Sequence, residues 1–441
     1  MPLSCRPAFL ATCFLRLAAW LDRRSAARLP RLLLGILLAH GRRTVTSWFR
    51  AAGITHEFRR GYATVWACGR RADQMAVSVL HAVEPLVRGP RLVVAIDDSP
   101  TPRWGPCVEG AGIHHNPNPG PAGEKFVYGH VWVTLAALAQ HPDWGTRALP
   151  LQSKVYIRQK DIAKLDPDHR VPFRTKLELA AEQLHWLKIW AGPRFESIWA
   201  VVDGAYAKRP VLRAAREEGL VVVGRLACNA ALWSLPQPKP EGKRGPQPTY
   251  GKKRVELAKR AGHKQGWQPV TCVQYGQEVV KTIKTFLATW HPAGGVIRVV
   301  LVQEDGEWLA YFCTDPEATA EEILEAVADR GALEETFKDV KEVWGAGQQQ
   351  VRNLVASVGC FNLNGWMYSL VEAWSWEQPK EELVDRGESP WDDASRRPSH
   401  ADRRKALQRQ VLREEIEAVL RGRPSRGEFR RLAERLLRVA C

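Results

Sequence analysis

The sequence has no Cys-x2-Cys pair, although it contains nine cysteines among its 441 residues. Structural zinc sites and disulfide-rich secreted modules are both built on cysteines at short, regular spacings. Here the cysteines are scattered along the chain from Cys5 to Cys441. We therefore expect neither a zinc framework nor a disulfide framework, and a reducing cytosol is the default compartment.

Long apolar runs are also missing. Residues 8–20 are apolar, but Arg16 interrupts them. A helix that crosses a membrane needs about 20 consecutive apolar residues, so this run is too short. A signal peptide is weakly supported, because no small-residue cleavage site stands out. The Arg-rich, acid-poor start is also similar to a transit peptide. We interpret this stretch as an amphipathic helix of the first domain and expect no membrane partner.

Acidic residues are outnumbered, with 48 Asp and Glu against 64 Lys and Arg and a formal net charge of +16. This balance favours an anionic partner, and nucleic acid is the commonest one for a basic chain. A basic composition inherited from an Arg-rich genome is the alternative. The length predicts two or three domains and a core large enough to need no metal or disulfide support.

The first 85 residues contain 13 arginines, four acids and no lysine. Their apolar residues follow helical spacing and not the alternation of a strand. We assign residues 1–88 to a helical DNA-binding region. Within it, residues 41–53 predict a short helix, whose Arg42, Arg43 and Arg50 are candidate DNA contacts. A plain surface helix is the alternative, because half of a helix-turn-helix motif is weak evidence without its partner.

Two apolar runs end in aspartates. Leu92 to Ile96 leads directly into Asp97 and Asp98, and a later run ends at Asp203. Short continuous apolar runs predict strands buried on both faces. Acids at their ends are costly unless they are paired, hydrogen-bonded or bound to a cation. For either strand alone, an aspartate that caps the next turn is the simpler explanation.

The order of predicted elements suggests a core that is interrupted once. Residues 89–226 predict three strands, a helix and the Asp203 strand, which matches the order of an RNase H-like catalytic core. Residues 227–316 predict a β-rich insertion that begins with an exposed basic loop over 235–260 and contains a hairpin at Asp305-Gly306. A solvated linker is the alternative for the basic loop.

A third acid lies on a predicted helix in the second part of the core, residues 317–376. Apolar residues at helical spacing predict that helix, and Glu334, Lys338 and Lys341, spaced by four and three, lie on one face of it. Taken alone, this is explained by a solvated charged face. Two strand-end aspartates and one helical glutamate can nevertheless bind two divalent metals for phosphodiester chemistry, so the three acids together predict a metal site.

Two further segments are candidates for DNA contact. His114 and His115 lie in a loop rich in Pro and Gly, and they lack the ligand partners at set spacing that zinc requires. We expect them to contact DNA or to form loop hydrogen bonds. Residues 377–441 predict a linker and a basic helical tail, with 14 Lys and Arg against six acids from Arg396 onward. The tail is expected to contact DNA or a second subunit.

Three motifs in this order resemble the DDE transposases of the IS4 type, and in particular the IS701-like DDE superfamily endonucleases. The matching motifs are Asp97-Asp98-Ser99, Asp203-Gly204-Ala205-Tyr206, and Arg330-x3-Glu334-x6-Lys341. Arg352 and the glutamines before it are also similar to the family pattern. Val327 and Gly331 depart from it, since the family has Tyr and Trp there.

The resemblance implies an α/β fold with an RNase H-like core, a mixed five-stranded sheet with helices, between helical N- and C-terminal regions. It implies a DNA transposase that cuts and joins strands at transposon ends. Two Mg²⁺ (or Mn²⁺) ions would be held by Asp97, Asp203 and Glu334, with Asp98 as the alternate first acid. The implied partners are transposon-end and target DNA, with a homodimer in the DNA complex, in a prokaryotic cytoplasm and on the nucleoid when bound.

Other functions stay open. Arg330, Lys341 and Arg352 would contact phosphates, but the first two could instead pair with acids on their own helix. The departures at Val327 and Gly331 support a catalytically inactive, domesticated transposase that only binds DNA. Another RNase H-like nuclease, such as a resolvase, is disfavoured because it needs neither the insertion nor the helical flanks.

Overall fold

The computed structural model describes residues 8–116, 124–239, 244–385, 391–393 and 395–421, together with 425, 427 and 433. The chain starts with five helices: α1 Ala8–Ala18, α2 Arg23–Leu38, α3 Val45–Ala51, α4 Phe58–Arg70 and α5 Ala72–Val83. The first turns of two of them are set locally, because the Asp22 carboxylate caps α2 and the Thr44 hydroxyl caps α3. Trp48 and Phe49 of α3 are completely buried, so this helix packs into the core instead of standing free.

Within the described ranges, no helix combines the length and the apolar character needed to cross a membrane.

Twelve strands form one continuous sheet in the described part of the chain. The first six are β1 Arg91–Pro102, β2 Gly112–His115, β3 Phe126–His141, β4 Gly145–Tyr156, β5 Ser197–Val202 and β6 Val221–Arg225. The others are β7 Leu232–Trp233, β8 Arg254–Val255, β9 Gln268–Gln274, β10 Gln277–Trp290, β11 Gly295–Glu304 and β12 Glu307–Cys313. The result is a mixed α/β fold whose sheet is mostly antiparallel.

Five neighbouring strands at one end of the sheet lie in the order β4-β3-β1-β5-β6. The β4–β3 and β3–β1 pairs are antiparallel, whereas β1–β5 and β5–β6 are parallel. The centre of β1 is buried on both faces, with Val94, Ala95 and Ile96 all completely covered. This agrees with the continuous apolar run in the sequence, because a parallel strand inside a layered fold has no solvent-facing side.

The strands between β6 and α10 extend this sheet. β12 pairs antiparallel with β6, and β11 and β10 follow in order. The expected Asp305-Gly306 hairpin is present: Glu304 pairs with Glu307, and the two turn residues have φ of 47° and 82°. Two positive φ values are typical of the tight turn that matches strand twist, and they suit Asp-Gly.

The remaining helices cover the sheet and close the chain. They are α6 Gln159–Ile162, α7 Lys176–Ala191, α8 Arg209–Glu217, α9 Leu257–Gly262, α10 Ala320–Asp329, α11 Ala332–Glu342, α12 Leu354–Ser375, α13 Lys380–Leu383 and α14 His400–Arg421. α12 is buried over nearly its whole length. The helical stretch expected around Glu334 is divided between α10 and α11, because the amides of Gly331, Leu333 and Glu334 each bond to a carbonyl three residues back.

The C-terminal region contains the predicted basic helix as α14, and part of its basic face is buried. Arg403 is completely buried and binds Glu372 of α12, while Arg404 donates to the carbonyls of Leu37 and Ala39. Part of the basic face of α14 therefore attaches the helix to the core. The end of the predicted tail, where residues 427–439 also predict a helix, lies almost entirely outside the described residues.

Candidate active site

Asp97 and Asp203 lie side by side at one end of the sheet. β1 and β5 run parallel, and their paired register ends at Ile96 and Val202. The next residue in each case is an aspartate, so both acids lie where the β1–β5 pairing ends. Asp97 stays within β1, which continues to Pro102 and pairs Asp97 with Thr134 of β3, whereas Asp203 follows the last residue of β5. Asp203 stays close to its strand end, because its Oδ1 accepts the backbone N–H groups of Ala205 and Tyr206, each at 2.9 Å.

The alternation of β1 sends its two adjacent acids to opposite faces. Val93 and Ala95 pack in the same cluster as Leu333 and Phe337 of α11. Asp97 is two residues beyond Ala95 and shares this face. Asp98 points to the other face, toward the start of α7.

Arg330 joins the first acid to the third. Its Nη1 lies 2.7 Å from Asp97 Oδ2, and its Nη2 lies 3.5 Å from Glu334 Oε1. Arg330 is the last residue before the short turn into α11, so the turn positions its guanidinium between the strand end and the helix. The Glu334 side chain is 67% exposed, whereas those of Asp97 and Arg330 are about one-fifth exposed. The structure thus links Asp97 and Glu334 through Arg330, and Asp203 lies next to Asp97 where the β1–β5 pairing ends.

Asp98 is held by two residues that sequence reasoning missed. Its Oδ2 accepts from Lys176 Nζ at 2.7 Å, and its Oδ1 accepts from the Tyr206 hydroxyl at 2.8 Å. Tyr206 is only 2% exposed. Its amide binds Asp203 and its hydroxyl binds Asp98, so one residue links the two strand ends. Tyr206 closes the second-acid motif and could have been noticed there, whereas no spacing signals Lys176.

The acids influence one another electrostatically. Burial raises the pKa of Asp97 to about 6, although Arg330 and the Asp98 amide oppose the shift and Asp203 adds to it. Burial and then the neighbouring Asp98 carboxylate raise the pKa of the Tyr206 phenol. Tyr206 is therefore a neutral donor to Asp98 across the physiological range.

The donor atoms fit a hard divalent cation. Carboxylate oxygens are the ligands that Mg²⁺ and Mn²⁺ prefer. Asp203 Oδ2 has no hydrogen-bond partner among the described residues, and the Glu334 side chain is accessible to solvent. Asp97 Oδ2 is occupied by Arg330, so this oxygen becomes a ligand only when the guanidinium moves aside.

A different trio has the tighter geometry. In the described ranges, the ligand atoms of Glu109, Asp166 and His169 form the one group of three that lie within 4.8 Å of one another. The sequence analysis did not single out this trio. Glu109 Oε2 accepts the Leu354 amide at the start of α12 at 2.7 Å and lies 3.0 Å from His169 Nδ1. These contacts explain the cluster as a support for α12.

The arginines expected to contact DNA have different environments. Arg42, Arg50 and Arg352 are exposed. Arg43 is half-buried, its side chain donates to the Gly41 carbonyl, and its amide donates to Gln348 Oε1 at 2.8 Å. Arg43 thus fixes the loop before α3 to the loop after α11.

The remaining expected contacts also differ. Lys341 is half-buried, burial lowers its pKa, and it has no hydrogen bond or ion pair within the described residues. His114 points into the protein, where burial lowers its pKa to about 4, so its ring is neutral. His115 points outward, with its ring edge-on to Phe126. The alternation of β2 separates the two histidines.

Comparison with known families identifies a match over residues 16–285, and the matching family is described as DDE superfamily endonuclease. The matched range covers more than half of the 441 residues. It includes Asp97, Asp98 and Asp203, whereas Glu334 lies beyond its end. No curated protein matches the chain significantly.

Proposed function

The chain belongs to the DDE superfamily endonuclease family, and from this premise we propose that it is a DNA transposase of the IS701-like, IS4-type group. It would cut and join DNA strands at transposon ends by phosphoryl transfer, with Asp97, Asp203 and Glu334 as the metal-binding acids. One observation carries the proposal: Asp97 and Asp203 follow the last paired residues of two neighbouring parallel strands, and Arg330 joins Asp97 to Glu334 at the start of α11.

The proposed core is RNase H-like. The strand order β4-β3-β1-β5-β6, antiparallel on one side of β1 and parallel on the other, supports this assignment. The strands of β7–β12 would then be the insertion before the glutamate helix. Asp97 is preferred to Asp98 as first acid, because Asp97 shares a face of the sheet with α11, whereas Asp98 is already bound by Lys176 and Tyr206.

Two Mg²⁺ or Mn²⁺ ions held by the three carboxylates would activate the attacking oxygen and stabilise the leaving one. Two conditions must be met at these residues before metal binds. Asp97 must be ionised, which its pKa of about 6 permits at neutral pH. Arg330 must release Asp97, and its guanidinium is then placed to bind a phosphate oxygen.

DNA is the proposed partner, both as transposon end and as target. Lys341 is half-buried without a partner among the described residues, so a phosphate would satisfy its charge. Exposed Arg42, Arg50 and Arg352 would extend the contact. Because a transposon has two ends and each chain supplies one site, we propose a homodimer in the DNA complex, acting on nucleoid DNA in a prokaryotic cytoplasm.

The test is cleavage of a plasmid that carries the DNA flanking the source gene, in Mg²⁺ and in EDTA. Asp97→Asn, Asp203→Asn and Glu334→Gln should each reduce cleavage below detection, because each removes charge that holds metal. DNA binding should persist or tighten slightly, because repulsion toward phosphate falls. Glu335→Gln is the matched control. The Glu335 side chain is 64% exposed, and its ion pair with Arg147 is long, at 3.9 Å.

The outcomes separate the rival functions. If all four variants cut like the parent, the metal site lies elsewhere and the proposal fails. If the parent binds DNA and does not cut in Mg²⁺ or Mn²⁺, the chain is an inactive DNA-binding relative. That alternative is favoured by one observation, the ion pair between Arg330 and Asp97, which occupies an oxygen that metal needs.

A further inference from the structure

A half-buried acid comes directly before Arg330 in the chain. Asp329 is the last residue of α10. Its Oδ2 accepts from Gln140 Nε2 at 2.9 Å, and its Oδ1 accepts from the Thr146 hydroxyl. Gln140 and Thr146 face each other across the β3–β4 pair, so one carboxylate is bonded to both strands.

The carboxylate of Asp329 depends on these two hydrogen bonds. Burial raises the pKa of Asp329, whereas the bonds from Thr146 and Gln140 oppose that shift. Both donors are neutral, and an ionised acceptor forms stronger hydrogen bonds than a neutral one. The side chain is therefore suited to hold the end of α10 on the β3–β4 pair.

The two helices that meet after Asp329 pack in different places. Ile323 of α10 lies in one apolar cluster, and Leu333 of α11 lies in another. The turn between the helices, Arg330 and Gly331, adds no apolar side chain to either cluster. Glycine also leaves the backbone of this turn conformationally free. The direction of Arg330 therefore depends on how the end of α10 is held.

A second hydrogen bond holds the chain on the other side of Glu334. The Thr336 hydroxyl donates to the Ala148 carbonyl of β4 at 2.9 Å. This attachment and that of Asp329 both end on β4. Arg330 and Glu334 lie between the two attachments in the chain, so β4 serves as the reference for both side chains.

We propose that Asp329 is a positioning residue for the metal-binding acids. It holds the end of α10 on β3 and β4, and so it places Arg330 and Glu334 relative to Asp97. Groups that orient metal ligands change metal affinity without touching the ion. The inference rests on the proposed function, because it assumes that Asp97, Asp203 and Glu334 hold the metal.

The test is the Mn²⁺ affinity of the full chain, measured by titration calorimetry without DNA, with chemical denaturation of each variant beside it. Asp329→Ala should weaken Mn²⁺ binding about tenfold, the lower end of the loss expected when a group that orients metal ligands is removed. A residue needed only for stability would shift the denaturation midpoint and leave the Mn²⁺ affinity of the folded protein unchanged. Asp329→Asn should keep most of the affinity, because it still accepts from Thr146 and its amide can donate to a turned Gln140 side chain.

Two further variants locate the effect. Thr146→Val removes one donor from β4, a strand that carries none of the three acids, and it should also weaken Mn²⁺ binding. Combined with Asp329→Ala it should cause little further loss, because both changes break the same contact. Glu325→Ala is the matched control. Glu325 is an acid one turn earlier on α10 that accepts the Val273 amide of β9 at 2.9 Å, and its loss should leave Mn²⁺ affinity unchanged.

Several results would overturn the positioning role. It is wrong if Asp329→Ala binds Mn²⁺ like the parent, if Glu325→Ala loses as much affinity, or if the losses of Asp329→Ala and Thr146→Val add in full. It is also wrong if Asp329→Asn loses as much affinity as Asp329→Ala, because the acid would then act through its charge.

Failure of this inference and failure of the proposed function are distinguishable, because Mn²⁺ binding needs no catalysis. If Mn²⁺ binding depends on Asp203 and Glu334 and weakens in Asp329→Ala, but the chain never cuts DNA, the role of Asp329 is supported and the transposase function is contradicted. If the chain cuts DNA and Asp329→Ala binds Mn²⁺ like the parent, only the role of Asp329 is wrong. A parent that binds no Mn²⁺ through the three acids contradicts both.

Discussion

At the scale of single residues, Asp97 and Asp98 show how neighbouring identical side chains acquire different tasks. The strand sends one toward Glu334 and the other toward Lys176 and Tyr206. Asp98 has two strong donors and therefore positions the strand end, with its amide also donating to Asp97 Oδ1 at 2.7 Å. Asp98→Ala would therefore also disturb the position of Asp97, so it is unsuitable as a control for Asp97→Ala.

Tyr206→Phe tests this positioning role. The change removes the hydroxyl that binds Asp98 and keeps the amide that binds Asp203. We expect cleavage to fall by about 10–100-fold together with Mn²⁺ affinity, the usual cost of losing a group that orients metal ligands. Mn²⁺ titration calorimetry and single-turnover cleavage provide the two measurements. Unchanged Mn²⁺ affinity with reduced cleavage would contradict the role assigned here.

Residues of the site were predictable from the sequence only where a local pattern marks them. The two aspartates end conspicuous apolar runs, and Glu334 lies in a recognisable motif. Lys176 was not predictable, because its partner is 78 residues away and no local pattern connects them. The Glu109–His169 contact was missed for the same reason, being formed across 60 residues.

At the scale of elements, α14 is attached to α12 by a buried ionic cluster. Arg403 Nη1 lies 2.8 Å from Glu372 Oε1, and His400 Nδ1 lies 2.6 Å from the same oxygen. The Trp344 indole donates to His400 Nε2, so His400 is neutral and donates to Glu372 through Nδ1. Burial alone would raise the pKa of Glu372, but Arg403 and His400 outweigh it and hold that pKa far below the usual range.

Glu372→Gln should therefore destabilise the fold by about 3–5 kcal/mol, because Arg403 is left buried without its counter-charge. The depressed pKa also sets the pH dependence. The contribution of Glu372 is present above its ordinary pKa of 4.5 and is lost progressively as pH falls below that value. Chemical denaturation at pH 7 and pH 3 measures both effects. Substitution of the exposed Glu377 provides the control. If Glu372→Gln lowers the free energy of unfolding as much at pH 3 as at pH 7, the role assigned to Glu372 is wrong.

Elements whose cause is local were predicted well. The Asp305-Gly306 hairpin and the two strands before Asp97 and Asp203 follow from turn chemistry and apolar runs. The four-residue strand β2 was taken for loop, because Pro and Gly around it mask its alternation. The burial of Arg403 was unpredictable, since its partner lies on another helix and a basic helix normally faces water.

At the scale of the whole molecule, the net charge of +16 would act on a DNA partner before any specific contact forms. Part of it lies in the exposed segment after residue 244, where Lys252 and Lys253 are both accessible. DNA affinity should fall steeply with salt, because each neutralised phosphate releases counterions. Lys252→Gln with Lys253→Gln should reduce the log–log salt slope by about 2. Anisotropy titrations between low and physiological salt give the slope, and a flat affinity would contradict the prediction.

The pairing of β12 with β6 also determines what can be removed from the chain. Excision of the strands from β7 to β12 would strip β6 of one partner and expose a row of free backbone amides and carbonyls. Such an edge is a template for strand addition between molecules and hence for aggregation. A minimal catalytic fragment made by that deletion would therefore assemble with its own copies, so the extension also protects the open edge of the core.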